Sequence, residues 1–182
     1  MTSHRARTCA PRGGTPVVRF NGASRGRISM AALACFTSGE RSRLINRPRI
    51  QGHHRGAHQG FTRQDYRDLL VRGHLQLGGP IVVVWGNLNV HRCSRLRRYA
   101  ADHDWLTIVQ LPSYAPELNP VEGIWSLLRR SATANMLFAD RDRLVRAVRS
   151  GMRRIQRRPH LIDGCLAETG LSATPTTRRK AQ

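Results

Sequence analysis

The sequence predicts an α/β fold, and three observations lead to this prediction. Two strand-like segments, Arg27–Thr37 and Arg43–Arg47, flank Ser38-Gly39-Glu40, which is typical of an antiparallel hairpin with a short glycine-containing turn. Ile81–Trp85 is a continuous β-branched run of the kind found in parallel strands that are buried on both faces. Later segments repeat apolar residues at helical spacing. Strands and helices are therefore expected along the same chain.

The region between the hairpin and Ile81 is predicted to be a loop followed by a helix. Pro48–Gly60 is rich in Gly, His and Arg and has no apolar face, which indicates a loop. Its histidines have no accompanying carboxylate or Cys, which disfavours a metal site there. Thr62 can cap a helix that ends at Gly78-Gly79-Pro80. The apolar residues of this helix are Tyr66, Leu69, Leu70 and Leu77.

A βαβ unit is predicted next. A helix over His91–His103 and a second strand over Trp105–Leu111 follow the first strand with short connections. The crossover of such a unit is right-handed. Three prolines spaced four residues apart then keep the linker out of a helix as far as Asn119.

Three helices are predicted after this linker. The first begins at Asn119 and has one apolar face, formed by Val121, Ile124, Trp125 and Leu128. A longer helix buries Leu144, Val145, Val148, Met152 and Ile155, and its other faces carry Arg141, Arg143, Arg146, Arg149 and Arg153. A short helix over His160–Thr169 ends the predicted elements.

The length of 182 residues suits one domain. We expect a basic flexible arm over residues 1–16, the domain over residues 17–171 and a disordered tail over residues 172–182. No run approaches the roughly 18 apolar residues of a membrane span, and the start lacks a signal-peptide stretch. The cysteines are widely scattered, which favours reduced thiols over disulfides or a zinc ribbon. These features predict a cytoplasmic protein that does not bind a membrane.

The charge of the chain predicts a polyanionic partner. The sequence has 31 Lys+Arg against 11 Asp+Glu, a formal net charge of +20. Neutralising phosphates releases counterions, so such a charge favours nucleic acid whatever its base sequence. Every basic residue except Lys180 is Arg. A G+C-rich coding bias with a partly solvated charge therefore remains open as an alternative.

Two motifs carry a resemblance to a known family. A hydrophobic strand is followed by Asn87 and His91, and the residues from Leu111 to Trp125 read LPSYAPELNPVEGIW. The segment resembles the catalytic domain of DDE transposases of the mariner superfamily, in its bacterial insertion-sequence branch. That family has the pattern D-N-x-x-x-H after a strand, then L-P-x-Y-[SA]-P-x-L-N-P-[IV]-E-x-x-W. A looser resemblance covers nearly the whole chain.

The resemblance implies an RNase H-like fold, in which a mixed sheet is flanked by helices. It also implies that two Asp and one Glu hold two Mg²⁺ ions, which activate a nucleophile and stabilise the leaving oxygen during cleavage and joining of DNA. Glu122 is the matching catalytic and metal-binding Glu. Asn87, His91 and Asn119 are expected to support the site or to contact DNA.

The sequence departs from this family pattern at both Asp positions. Gly86 stands where the Asp at the end of the buried strand is expected, and no Asp or Glu precedes Glu40. The first, central strand of the fold, which carries the other Asp, is predicted to be missing, so the fold is predicted to be incomplete. We do not expect Asp65, Asp68, Asp102 or Asp104 to substitute, because a site in an open α/β sheet forms at the carboxyl ends of strands.

Glu122 also has a purely structural interpretation. Asn119 as N-cap, Pro120 at the first helical position and Glu122 at the third form a capping-box arrangement, in which the carboxylate accepts a hydrogen bond from the Asn119 N–H. This role is compatible with descent from a metal ligand.

These observations predict a transposase-family protein that is catalytically degenerate, because only Glu122 of the three carboxylates is present. Two alternatives remain open. One is a non-catalytic DNA-binding or inhibitory remnant that acts as a homo-oligomer or on an intact transposase. The other is an unfolded pseudogene product.

Overall fold

The computed structural model describes residues 28–50, 60–86, 94–134, 138 and 141–173. It begins with the predicted hairpin, in which β1 (Ile28–Cys35) pairs antiparallel with β2 (Arg43–Ile50). Gly39 has a φ of +77° in the connecting turn, a conformation that favours glycine. The loop predicted from Pro48 is wrong for the first three residues, because β2 continues through Pro48 opposite Met30. Proline is tolerated there since β2 is an edge strand of a two-stranded sheet.

Helix α1 (Arg63–Leu77) begins and ends where the sequence predicts. The Thr62 hydroxyl accepts a hydrogen bond from the Asp65 N–H at 3.3 Å, and the Asp65 carboxylate accepts one from the Thr62 N–H at 2.8 Å. Gly78 ends the helix with a φ of +73°. Leu69 and Leu70 are buried, so α1 packs its predicted apolar face against the strands.

The predicted βαβ unit is also present. Strand β3 (Ile81–Trp85) pairs in parallel with β4 (Leu106–Gln110), and α2 (Ser94–Ala101) lies between them in the chain. The expectation that β3 is buried on both faces is wrong. Val83 and Trp85 are buried, whereas Val82 is 66% and Val84 50% exposed. Both valines line a groove together with residues of β1 and α1.

The C-terminal part of the described chain is helical. A 3₁₀ turn (Pro116–Leu118) precedes α3 (Pro120–Leu128), and α4 (Arg141–Gln156) and α5 (Pro159–Ala167) follow. A π-helical turn over Arg129–Thr133 extends α3, which the sequence did not predict. No helix within the described ranges is both long and apolar enough to span a membrane.

Two main clusters of buried side chains form the core. The larger joins the hairpin to α3, α4 and α5, and the smaller joins β3 and β4 to α1 and α2. The strands form two separate two-stranded sheets, β1–β2 and β3–β4. Among the described residues no strand connects them.

Candidate functional site

Glu122 lies in the first turn of α3, and the local sequence determines its position. The Asn119 side chain accepts a hydrogen bond from the Val121 N–H at 3.2 Å, which caps the helix. Pro120 occupies the first helical position, where its missing N–H costs nothing. The Glu122 N–H donates to the Asn119 carbonyl oxygen at 3.0 Å. These bonds fix the backbone of Glu122 and leave its side chain exposed.

The capping-box interpretation of Glu122 is wrong. The Asn119 N–H donates instead to the carbonyl oxygen of Pro116 at 3.0 Å, within the 3₁₀ turn. A capping box would need the Asn119 N–H as its donor, but the 3₁₀ turn already uses it. The Glu122 carboxylate therefore does not accept a hydrogen bond from the Asn119 N–H. The Glu122 carboxylate makes no hydrogen bond or ion pair to any residue that the structure describes. It is therefore available for another role.

Gly86 and Glu122 line the same cavity, of about 150 Å³. Gly86 follows the last residue of β3, and Glu122 lies in the first turn of α3. Apolar residues of β1 and α1 form much of the remaining wall. Asn119, Trp85 and Trp125 also contribute to its wall. The structure thus brings together three of the predicted site positions, Gly86, Asn119 and Glu122. The other two, Asn87 and His91, lie outside the described residues.

Neither backbone strain nor crowding requires a glycine at position 86. Its φ is not in the left-handed region, and a Cβ added there would meet no atom within 4 Å. An Asp side chain could therefore point into the cavity that Glu122 lines. The missing carboxylate is a chemical difference from the family pattern and not a consequence of how this chain folds.

The described residues do not fit the Mg²⁺ that the resemblance implies. Mg²⁺ needs several oxygen ligands in near-octahedral geometry and gives up water reluctantly. Within the described ranges no group of three or more His, Cys, Asp or Glu residues could hold a metal ion. The Asn119 amide oxygen is already used as the helix cap. Among the described residues that line this cavity, Glu122 is thus the single carboxylate.

Asp65 does not replace the missing ligand, because it stabilises the fold. Its carboxylate pairs with Arg47 at 3.1 Å and with Arg49 at 2.5 Å, and its side chain is only 13% exposed. Burial raises the pKa of Asp65, but the hydrogen bonds from Thr62 and the two guanidinium groups together hold it below its ordinary value. The T-x-x-D spacing with an Arg-x-Arg pair on β2 is a signal that sequence reasoning did not use.

The other acids considered from the sequence also lie away from Glu122. Asp68 on α1 pairs with Arg67 at 2.9 Å. Asp102 and Asp104 are exposed between α2 and β4. They precede the first residue of β4, whereas Gly86 follows the last residue of β3. The prediction that these acids do not complete the site agrees with their placement.

A second surface lies around the end of α4, the helix whose exposed arginines the sequence predicts, and extends beyond the helix to Arg157 and Arg158. Arg153, Arg154, Arg157 and Arg158 surround a shallow groove of about 350 Å³ together with Ser150. All four arginines are exposed. The R-R-x-x-R-R spacing brings these arginines together, because residues three and four apart on a helix are neighbours.

The chain is similar to several known proteins. A model of the family described as DDE superfamily endonuclease matches residues 1–145. Uncharacterized protein y4pE/y4sA of Sinorhizobium fredii (strain NBRC 101917 / NGR234) is 43% identical over 42 residues, which cover 23% of this chain and 31% of that protein. The match thus spans about a third of this curated relative.

Two solved structures of the Mos1 transposase catalytic domain are similar at low identity. One contains raltegravir and Mn; it is 13% identical, covers 80% of this chain and 83% of its own, and has a TM-score of 0.45. The other, of the Mos1 mariner transposase, is 13% identical, covers 80% of this chain and 82% of its own, and has a TM-score of 0.44.

Proposed function

Because the chain belongs to the DDE superfamily endonuclease family, we propose that it is a transposition-related protein that binds DNA but does not cleave it by itself. The resemblance to DDE transposases predicted from the sequence and the mixed α/β fold class are confirmed. The observation that carries the loss of cleavage is the glycine at position 86, beside the cavity where Glu122 contributes a lone carboxylate.

Loss of cleavage follows from the metal requirement of the chemistry. Two-metal phosphoryl transfer needs ions close to both the attacking and the leaving oxygen. One exposed carboxylate holds a divalent ion weakly, since water competes for most coordination positions. We also propose that residues 17–171 form the domain, residues 1–16 a basic arm and residues 172–182 a tail.

Binding of DNA is supported by an arginine face on α4. We use this name for the exposed Arg146, Arg149, Arg153 and Arg154 of α4 together with Arg157 and Arg158, which follow the helix. The buried side of α4 faces the opposite way, with Val148, Met152 and Ile155 in the core. No ion pair between described residues involves the arginine face.

The dimensions of this face suit a nucleic acid backbone. From Arg146 to Arg157 it extends over eleven residue steps, or about 16 Å along a helix axis. Phosphates of one DNA strand follow one another at about 3.4 Å along the duplex axis. Several arginines can therefore meet phosphates of one duplex at once. Guanidinium groups without a carboxylate partner favour such contacts over pairing within the protein.

A nicking assay tests the proposed loss of cleavage. The purified chain is incubated with supercoiled plasmid and Mg²⁺ or Mn²⁺, beside Glu122→Gln. We expect no nicking above the level of this variant. Robust metal-dependent nicking that Glu122→Gln abolishes would show that the site is complete.

A gain-of-binding variant tests the reason for the loss. Gly86→Asp adds a second carboxylate to the cavity, and we expect it to tighten Mn²⁺ binding at least about tenfold, measured by electron paramagnetic resonance. Gly164→Asp is the matched control, because position 164 on α5 is exposed and open and lies outside this cavity. Equal Mn²⁺ affinity of the two variants would contradict the proposed ligand position.

A chain that binds DNA without cleaving it can also affect other transposase molecules. We infer that it associates with copies of itself or with an intact transposase, and so lowers transposition by occupying DNA or by entering inactive assemblies. Adding the chain to an active relative in a strand-transfer assay tests this. Unchanged activity of the relative at saturating chain would refute inhibition.

A further inference from the structure

Four guanidinium groups converge on one groove at the end of α4. We name it the arginine groove and define it by the residues that line its volume of about 350 Å³, Ser150, Arg153, Arg154, Arg157 and Arg158. The first four are spaced i, i+3, i+4 and i+7, so they lie on one face of a helix. Arg158 reaches the same groove from the turn that leads into α5.

Packing and hydrogen bonds hold the backbone of this groove in place. Ile155 on the opposite face of α4 is buried in the core, so the helix is not free to rotate about its axis. The Gln156 side-chain amide donates to the Leu44 carbonyl oxygen at 2.6 Å, which ties the helix end to β2. The Arg158 N–H donates to the Ile155 carbonyl oxygen at 2.9 Å, and Pro159 disfavours a helical backbone at Arg158, so the chain turns there. The four arginine side chains therefore extend from fixed backbone positions.

The chain does not neutralise these four positive charges. None of the four guanidinium groups makes a hydrogen bond or an ion pair with a described residue. Only one of the 11 Asp and Glu residues of the sequence, Asp140, lies outside the described residues. Asp140 directly precedes the first residue of α4, and Arg153 lies about 18 Å further along the helix axis. Neither Asp140 nor any described carboxylate is thus placed to pair with the arginine groove.

The arrangement costs stability as long as no anion occupies it. Arg153 and Arg157 are four residues apart, and like charges at this spacing repel one another on a helix. Each arginine presents a rigid fork of N–H donors that binds phosphate through two hydrogen bonds at once. The Ser150 hydroxyl adds a further donor. A phosphate-bearing ligand would therefore relieve the repulsion and satisfy the donors.

We propose that the arginine groove binds a terminal phosphate group, either at the phosphorylated end of a DNA strand or in a free oligophosphate. A terminal phosphate carries about 1.5–2 negative charges and three free oxygens, whereas each phosphate within a DNA strand carries one charge. Donors that converge on one groove match the group with the larger charge and more acceptors. A DNA end as the ligand rests on the DNA binding proposed above, whereas a free oligophosphate does not require it.

Isothermal titration calorimetry of the full chain with inorganic triphosphate tests the groove directly. The titration is done at about 0.15 M salt, which screens attraction through net charge. The groove variant, Arg153→Gln with Arg157→Gln, should bind triphosphate about 100-fold more weakly, since each hydrogen bond to a charged group is worth roughly a factor of ten. Glutamine keeps the helix propensity, and circular dichroism verifies that the variant folds.

A matched variant shows whether the effect is specific to the groove. Arg146→Gln with Arg149→Gln removes the same charge from the same helix, because both arginines are exposed on α4 but do not line the groove. We expect this control to change the triphosphate affinity less than about threefold, since charges outside the groove act only through screened attraction.

Two forms of one short duplex, with phosphate or hydroxyl at the 5′ ends, identify the source of the ligand. Fluorescence anisotropy measures both affinities. At least about tenfold tighter binding of the phosphorylated form, lost in the groove variant, would assign the groove to a DNA end. Triphosphate binding in the groove without this preference would assign it to a free oligophosphate.

Several outcomes would overturn the proposal. Equal loss of triphosphate affinity in the groove variant and its control would mean that the anion binds through net charge alone. Unchanged affinity in the groove variant would mean that triphosphate binds elsewhere. Absence of both triphosphate binding and a preference for phosphorylated ends would refute a terminal phosphate as the ligand. The proposed function fails separately, since triphosphate binding in the groove without any binding of duplex would refute DNA binding and support the free oligophosphate.

Discussion

Replacing four arginines of the α4 surface by glutamine gives a quantitative test of the proposed phosphate contacts. The residues lie on one exposed stripe of α4 and its following turn, Arg146, Arg149, Arg153 and Arg157. Glutamine has a helix propensity close to that of arginine, so α4 should remain intact. A circular dichroism melt of the variant verifies this.

The magnitude follows from counterion release. Each phosphate contact contributes about 0.9 to the slope of log affinity against log salt, so loss of four contacts lowers the slope by about 3.6. Between about 50 and 200 mM salt, the unaltered chain should therefore lose about 150-fold more affinity than the variant. Fluorescence anisotropy with a labelled duplex measures both slopes.

A second variant loses the same number of positive charges from another surface and tests whether the change in salt slope depends on the α4 arginines. In this control, glutamine replaces four exposed arginines of α1 and α2, which are Arg63, Arg72, Arg95 and Arg98. We expect this control to keep most of the salt slope. Equal loss of slope in both variants would refute a binding surface on α4 and indicate binding through net charge alone.

Three further predictions concern stability. Asp65→Asn removes two ion pairs and replaces the charged capping-box acceptor with a neutral amide oxygen, which should cost about 1–3 kcal/mol at pH 7. Because the pKa of Asp65 is lowered in the folded chain, this contribution is complete above the ordinary carboxyl pKa of 3.8 and is lost as pH falls through the lower folded value. Urea unfolding at pH 7 and near pH 2.5 measures it, and a difference that does not change with pH would contradict the ion-pair explanation. Gly151→Ala should destabilise by about 1–3 kcal/mol, because a Cβ at position 151 would lie 2.6 Å from Leu128 and 2.7 Å from Ala132. Gly164→Ala, at an open helical position, should instead stabilise by about 0.5–1 kcal/mol in the same unfolding assay, and a loss there would refute the packing argument.

Local signals in the sequence predicted the helices and the pairing of strands. Thr62 and Gly78 mark the ends of α1, and Asn119 caps α3, because caps depend on the few residues around them. The buried face of α4 follows its apolar spacing from Leu144 to Ile155. These parts of the fold could be predicted from residues that are close together in the sequence.

The features that the sequence did not predict depend on two acceptors competing for one N–H donor, or on contacts with residues far away in the chain. The Pro116 carbonyl takes the Asn119 N–H, which a spacing rule for Glu122 does not consider. Val82 and Val84 have the composition of a doubly buried strand, but burial of their face requires a neighbour that local sequence does not contain. The π-helical turn at Arg129–Thr133 accompanies the close approach of Gly151 to Leu128 and Ala132, a tertiary contact.

The candidate site could be predicted in part. The motif placed Glu122 and Gly86 near one another, and the shared cavity agrees with this expectation. The sequence could not show that Asp65 is already engaged by Arg47 and Arg49, because that requires β2 and α1 to be adjacent. The roles of Glu122, Asn119, Asn87 and His91 stay predictions.

The exposed valines of the β3–β4 sheet also have a colloidal consequence. Val82, Val84 and Val109 are large apolar side chains in contact with solvent, and such side chains favour association between copies of a protein. A net charge of +20 opposes this, since copies of the chain repel one another. The repulsion acts over about 30 Å at 0.01 M salt but only about 3 Å at 1 M. Rising salt should therefore release the chain from polyanions and, over the same range, remove its protection against precipitation.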